Sequence, residues 1–272
     1  MKSEYLYGGK ELQTLFGIRW YDSSARYQTT DGIFSGIDPL SEQTYPISPY
    51  AYCAGDPVNY VDPEGERVRI WFYDNTGVRR SILYSGESIT HSNAFVNSVI
   101  KAYQYNKTNW IKVGYIEDSP TARLVEREEI INIVDAGTIG DHFSDAYNTI
   151  YWNPKVGHLS NSAVFSPASA FDHEADHAND YLDDPVAHIN RRSTPDKSFK
   201  NKEERRVITN SEQKTAVANG EIKTGQKTRT TYNQKEIIIK GGVSSTIIDK
   251  NETILYYQQK IKDNQRRFSL EY

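Results

Sequence analysis

Residues 173–177 read HEADH, two histidines four positions apart with a glutamate directly after the first. On an α-helix four residues are just over one turn, so the rings of His173 and His177 project from one face and can grip one cation together. Glu174 points to the side where a water bound to that cation would lie. There it can take the water's proton and later pass it to a leaving amine. The ion that suits this arrangement is Zn2+, and the chemistry is hydrolysis. Two histidines leave a catalytic zinc one protein ligand short, so a third must come from elsewhere. Cys53 is the only cysteine, which excludes an intrachain disulfide and a thiolate cluster and leaves the task to His, Asp or Glu.

The elements that must hold these groups can be read outward from the motif. Ser166 and Pro167 provide an N-cap and a first-turn proline, and Ala168 to Leu182 can continue as a helix without a breaker. Downstream, residues 202–208 (KEERRVI) begin a second helix whose apolar side carries Val207 and Ile208. Glu204 lies three and four positions before that pair, on the buried face, and is the preferred third ligand. Glu203, four before Val207, is an alternative. Asp180, Asp183 and Asp184 read as a solvated helix end, and Arg191, Arg192, Arg205 and Arg206 as solvated charges. His91, His142 and His158 lack ligand spacing. Upstream, Val68 to Tyr73 and Val78 to Tyr84 flank the turn residues 74–77 and predict a hairpin. Phe95, Val96, Val99, Ile100 and Tyr103 have helical spacing. Ile130 to Val134 and Thr149 to Trp152 predict strands, as do Glu236 to Ile239, Val243 to Ile248 and Ile254 to Tyr257. Residues 260–272 read as a polar tail. The sum is an α+β domain over residues 66–272.

Residues 1–65 are different in kind: short aromatic runs among Gly, Asp and Pro, with prolines at 39, 46, 49, 57 and 63 arguing against long helices. The succession YLYGGKEL (5–12), GIRWYD (17–22), ARY (25–27), GIDPL (36–40), SPYAY (48–52) and DPVNYVDPEG (56–65) resembles the end of an Rhs/YD-repeat core, the shell-like carrier of polymorphic toxins. That resemblance implies a core remnant over residues 1–65, with Asp62 to Gly65 marking the boundary to a toxin module. It further implies a target-cell protein as substrate and an immunity protein as partner.

A second resemblance covers about 40 positions. HExxH at 173–177, EERR at 203–206 and Ser211-Glu212 resemble the zincin-like effector peptidases of the NleD type. Such enzymes use two His ligands, a catalytic Glu and a downstream acid, so the implied fold is zincin-like and the implied activity is zinc-dependent endopeptidase with Glu174 as base. Asp176 departs from the small or aliphatic residue common at its position. Snapalysin-like zincins take a third ligand six residues after the second histidine, which makes Asp183 a further alternative, although Asp180 replaces their midway glycine. In zincin folds an edge strand beside the metal binds substrate, and the segment with Tyr151 and Trp152 is the expected edge. His188, or Tyr232, is a candidate donor to the tetrahedral intermediate.

Bulk properties narrow the alternatives. A net charge of −4 on 272 residues offers no global field for nucleic acid. A metal-dependent nuclease built on His173, His177 and Asp176 is therefore the weaker enzymatic reading. A non-catalytic interaction module with a structural or degenerate metal site is the reading from another class. The N-terminus lacks an apolar signal core, and no run of about 18 apolar residues occurs. The expectation is a chain with no Sec signal and no membrane span, exported by a specialised secretion system and delivered into a target cell, or else cytoplasmic as an orphan module.

Overall fold

A computed structural model describes residues 11–13, 19–22, 27–29, 35–36, 68–127, 129–160 and 163–270. The chain divides into two compact units, Met1–Glu66 and Arg67–Tyr272. In the first, β1 (Glu11–Gln13), β2 (Trp20–Asp22) and β3 (Tyr27–Thr29) form an antiparallel sheet in that order. Most of the segment that resembles an Rhs core lies outside the described residues.

The second unit is a mixture of helix and sheet, an α+β arrangement. It begins with the expected hairpin, β4 (Val68–Tyr73) and β5 (Arg79–Tyr84), closed by a turn in which Asp74 accepts from the backbone N–H groups of Thr76 and Val78. In β4, buried Val68 and Ile70 alternate with half-exposed Arg69 and Trp71, the pattern of a strand with one face on a core. Helix α1 (Ala94–Lys112) covers that face with Phe95, Val96, Val99, Ile100 and Tyr103, and runs on past Tyr103 because Asn106 and Trp110 continue the buried stripe. After α2 (Pro120–Val125) the chain adds β6 (Ile131–Asp135), β7 (His142–Ser144) and β8 (Thr149–Trp152). The sheet order is β5-β4-β6-β8-β7, with β4, β6 and β8 parallel and β7 antiparallel at one margin.

This corrects one expectation. The strand carrying Tyr151 and Trp152 is not the edge: β8 is bonded on both sides, and β7 is the edge. Trp152 is fully buried, stacks on Phe171 at 4.8 Å and donates its indole N–H to the Pro167 carbonyl at 2.9 Å. It joins sheet to motif helix and cannot touch substrate. Tyr151 stacks on His142 at 4.7 Å and does not itself line the cavity described below.

A second sheet, in the order β10-β9-β13-β14, is built from β9 (Val156–Leu159), β10 (Val164–Phe165), β13 (Lys235–Lys240) and β14 (Ile247–Ile248). Gly157 allows its close packing: a Cβ there would sit 2.4 Å from the Phe165 carbonyl oxygen and 2.7 Å from Ile239 Cγ1. Between β10 and β13 lie α3 (Pro167–Asp183), α4 (Pro185–Ser193), the small β11–β12 ribbon (Pro195–Asp196 with Lys200–Asn201), α5 (Lys202–Thr209) and α6 (Ser211–Ala218). The last element, α7 (Lys250–Leu270), replaces the predicted strand at Ile254–Tyr257 and the predicted tail. Asp249 caps its start, accepting from Glu252 N–H. Thr253, Tyr256, Lys260 and Asp263, at steps of three and four, are the least exposed among residues 250–267. The strand-favouring run of Ile254 to Tyr257 gives way to this helical spacing. Among the described residues no helix is long and apolar enough to cross a membrane.

Candidate metal centre

Helix α3 is fixed at its start by several independent bonds. Ser166 Oγ accepts from Ser169 N–H, Glu221 accepts from Ser166 N–H at 2.9 Å and Ser169 Oγ–H at 2.8 Å, and Ala168 N–H donates to Val243 O. Phe171, Ala175 and Ala178 bury one face in the main core. Asp172, also buried, accepts from Thr121 N–H at 2.8 Å and Thr215 Oγ–H at 2.6 Å, tying α3 to α2 and α6. The opposite face carries His173, Glu174 and His177 into a cavity of about 420 Å³.

Three donor atoms converge there. His173 Nε2 and His177 Nε2 are 3.2 Å apart, and Glu204 Oε2 lies 3.5 Å from the first and 3.8 Å from the second. Zinc bonded to N and O at about 2.0–2.1 Å in a tetrahedron needs donor separations of about 3.3–3.4 Å. The triangle is therefore close to one face of such a tetrahedron. Glu204 Oε2 is shut off from solvent and makes no hydrogen bond among the described residues, a costly state for a carboxylate oxygen unless a cation completes it. His173, His177 and Glu204 fit zinc by donor type, spacing and this unmet need.

Each imidazole is backed by a carboxylate. His173 Nδ1–H donates to Glu212 Oε2 at 2.9 Å, and His177 Nδ1–H donates to Glu203 Oε1 at 3.1 Å. A carboxylate only accepts, so these bonds keep a proton on Nδ1 and turn Nε2 of each ring toward the donor triangle. Arginines hold the carboxylates in turn. Arg229 grips Glu212 through Nε (3.1 Å) and Nη2 (2.6 Å), and Arg191 Nε and Arg206 Nη2 each donate to Glu203 at 2.8 Å.

Electrostatics follow this geometry. Burial works to lower the pKa of His173, but Glu204 and Glu212 overturn it and hold the ring at about 9; at His177 the same contest, against Glu203 and Glu204, ends at about 10. Burial opposes ionisation of Glu204, yet the two imidazoles hold its carboxyl far below the usual range. Glu212 is held at about 2 against burial by His173 and Arg229. In the metal-free centre the carboxylates are thus met by protons on the imidazoles, which a metal ion would have to displace.

Several sequence expectations change role. Glu203 is not the third ligand: it is 1% exposed and committed to His177 Nδ1 and two arginines. Asp183 is excluded as a ligand because it points to the far side of α3, pairing with Arg123 at 3.0 Å and Arg127 at 2.7 Å. His188, 1% exposed, spends Nδ1 on Asp180 at 2.9 Å and packs edge-on to His177, so it supports the histidine–Glu203 pair and is not placed as a donor to substrate. Arg191 and Arg206 are structural ties and not solvated charges. Arg206 alone bonds Glu203, Asp176 Oδ2 (2.9 Å) and the Asp176 carbonyl (3.2 Å). This explains the unusual Asp176 within the motif, which also accepts from Ser211 Oγ–H at 2.6 Å. It is an anchor joining α3 to α5 and α6.

Glu204 is set by the α5 N-cap, where Asn201 Oδ1 accepts from Glu204 N–H at 2.8 Å. The neighbouring Lys200 has φ of +70°, a strained value for a side-chain-bearing residue, and its ammonium lies 5.0 Å from the Tyr232 ring. Tyr232 lines the cavity, and Arg229 Nη1 holds its carbonyl at 2.9 Å. Opposite, the cavity is walled by Asp141, His142 and Phe143 at the β7 edge, by His158 on β9 and by Glu236 on β13.

No protein-family model matches the chain, and neither a curated protein nor a solved structure matches it significantly.

Proposed function

We propose that residues 67–272 are a zinc-dependent endopeptidase. The carrying observation is the triangle of His173 Nε2, His177 Nε2 and Glu204 Oε2, each imidazole backed by a carboxylate, at the wall of a cavity that also exposes Glu174. When bound, zinc supplies a Lewis acid that polarises a scissile carbonyl and makes water a nucleophile near neutral pH. Glu174 accepts the water proton and returns it to the departing amine nitrogen. Glu203 and Glu212 hold the two rings with their Nε2 atoms forward. Tyr232, on the cavity wall beside Lys200, is the donor suited to the oxygen that gains charge. The outer edge of β7 bonds to no described strand and offers an extended polypeptide a partner for its backbone.

The order and character of the strands, with an antiparallel edge strand beside the motif helix, support the zincin-like reading that HExxH and EERR suggest. The resemblance of residues 1–65 to an Rhs core extends it to a polymorphic toxin or effector, delivered by a specialised secretion system, with a target-cell protein as substrate and an immunity protein as partner. The nuclease reading loses a residue it needs, since Asp176 is 4% exposed and bound to Arg206 and Ser211. A purely structural ion is disfavoured by a three-donor cluster that opens on a cavity.

The test is direct. Zinc-loaded protein should cleave members of a peptide library, Glu174→Gln should keep stoichiometric metal and lose cleavage, and His177→Ala should lose both, by elemental analysis and peptide mass spectrometry. Full activity in Glu174→Gln, or no cleavage by zinc-loaded wild type, refutes the proposal.

A further inference from the structure

The carboxylates around the cavity are nearly all spoken for. Glu203 and Glu212 are neutralised by arginines, Glu204 faces the imidazoles, and Glu236 binds Lys260 and the Tyr256 hydroxyl at 3.1 Å. Glu174 is the base. Asp141 remains. Its Oδ1 accepts from Asn153 N–H at 2.8 Å, but Oδ2 is shielded from solvent and has no hydrogen-bond partner among the described residues.

Asp141 is firmly placed. Asn153 Nδ2 bonds the Gly137 carbonyl at 2.7 Å, which ties down the loop that leads to it. Gly140, with φ of +100°, packs against Glu236 so closely that a Cβ would lie 2.9 Å from Glu236 Oε1. Asp141 directly precedes β7, the strand with the free edge, and Tyr257 contributes a half-exposed ring to the same cavity.

From this juxtaposition we infer that Asp141 forms the end of a substrate subsite for a basic side chain, lysine or arginine, of the polypeptide aligned along β7. The inference rests on the peptidase reading and adds a substrate preference to it. An ammonium or guanidinium reaching Asp141 gives Oδ2 the donor it lacks, and the aliphatic stem of such a side chain can lie on the Tyr257 ring. Glu236 and Glu174 lie near enough to reinforce the negative potential. Burial, and then these neighbours, raise the Asp141 pKa well above the usual carboxylate range, so an incoming cation restores an ionisation that the free protein disfavours.

Matched peptides carrying lysine, arginine or norleucine at each position test it, because norleucine keeps the stem and removes the charge. Zinc-loaded wild type should favour lysine or arginine at one position by about tenfold or more in kcat/KM. In Asp141→Asn that ratio should collapse toward one. Asn can still accept from Asn153 N–H, so this variant keeps the loop and removes the capacity to ionise against an incoming cation. Equal cleavage of the norleucine peptide by wild type, or a preference that survives in Asp141→Asn, overturns the subsite while leaving the peptidase intact. The same peptides, fluorescently tagged, are titrated against zinc-loaded Glu174→Gln protein. Binding of the basic peptides that depends on Asp141, with no cleavage by wild type, would retain the subsite and refute the peptidase. Neither cleavage nor charge-dependent binding refutes both.

Discussion

Arg206 is the side chain whose removal should reveal most about how the centre is built. It donates to Glu203 at 2.8, 3.1 and 3.2 Å, to Asp176 Oδ2 at 2.9 Å and to the Asp176 carbonyl at 3.2 Å, and lies 3.3 Å from Asp180. The Glu203 and Asp176 side chains are only 2% and 6% exposed, so Arg206→Ala leaves two buried carboxylates with reduced compensation. Breaking a buried pair of this kind costs about 3–5 kcal/mol. Arg191 still holds Glu203 and Ser211 still holds Asp176, which puts the expected loss near the lower figure. Asp176→Ala removes the other side of the tie, and the double variant should be less unstable than the two singles predict, with a coupling of about 1–3 kcal/mol. Urea denaturation at pH 7 of the metal-free protein measures these terms. Metal titration measures the consequence at the centre: with Glu203 loosened behind His177, zinc affinity should fall about 10–100-fold. A loss below about 1 kcal/mol in Arg206→Ala, together with unchanged affinity, would refute the assignment of Arg206 as the tie between α3 and α5.

Other perturbations separate support from chemistry. Glu212→Gln keeps the shape behind His173 but weakens its partner, and should lower zinc affinity about 10–100-fold while far-UV circular dichroism stays the same. Glu221, beneath the start of α3, is raised by burial from the usual 4.5 to about 7. It binds its proton more tightly when folded, so its contribution is complete below pH 4.5 and is lost as pH rises through 7, up to about 3 kcal/mol. Glu221→Gln should flatten the stability profile between pH 5 and 8, and an unchanged slope in denaturant melts would count against this. Gly157→Ala forces a methyl into the Phe165 carbonyl and Ile239, and should destabilise by about 1–3 kcal/mol in the same assay.

Local pattern carried the sequence reading a long way at the motif. Ser166-Pro167 and the unbroken run behind it specify α3, and the apolar pair Val207 and Ile208 puts Glu204 on the inward side of α5. What the sequence conceals is pairing over distance. Nothing near Glu212 or Glu203 indicates that each accepts from a histidine 39 or 26 positions away, although the clustering of Glu and Arg in 203–206 was a usable signal. Arg206 looks solvated because, apart from Glu203, its partners Asp176 and Asp180 belong to another helix. The edge strand was misplaced because β7 is only three residues long, whereas β8 has the stronger aromatic and β-branched character. Ile254 to Tyr257 has strand-like composition, but its helix is set by the spacing of residues on either side.

The second and third of the proposed zinc donors, His177 and Glu204, are 27 positions apart in the chain, with α4, the β11–β12 ribbon and the start of α5 between them. An ion held by both acts as a removable cross-link across that loop. By chain-entropy reasoning a permanent link of this span restricts the unfolded ensemble by about 3–4 kcal/mol. Chelation severs the link without touching a covalent bond, leaving Arg206 and its carboxylates to keep the loop closed. Resistance of residues 184–201 to proteolysis should therefore track metal supply, making this segment a gauge of ion occupancy as well as a scaffold.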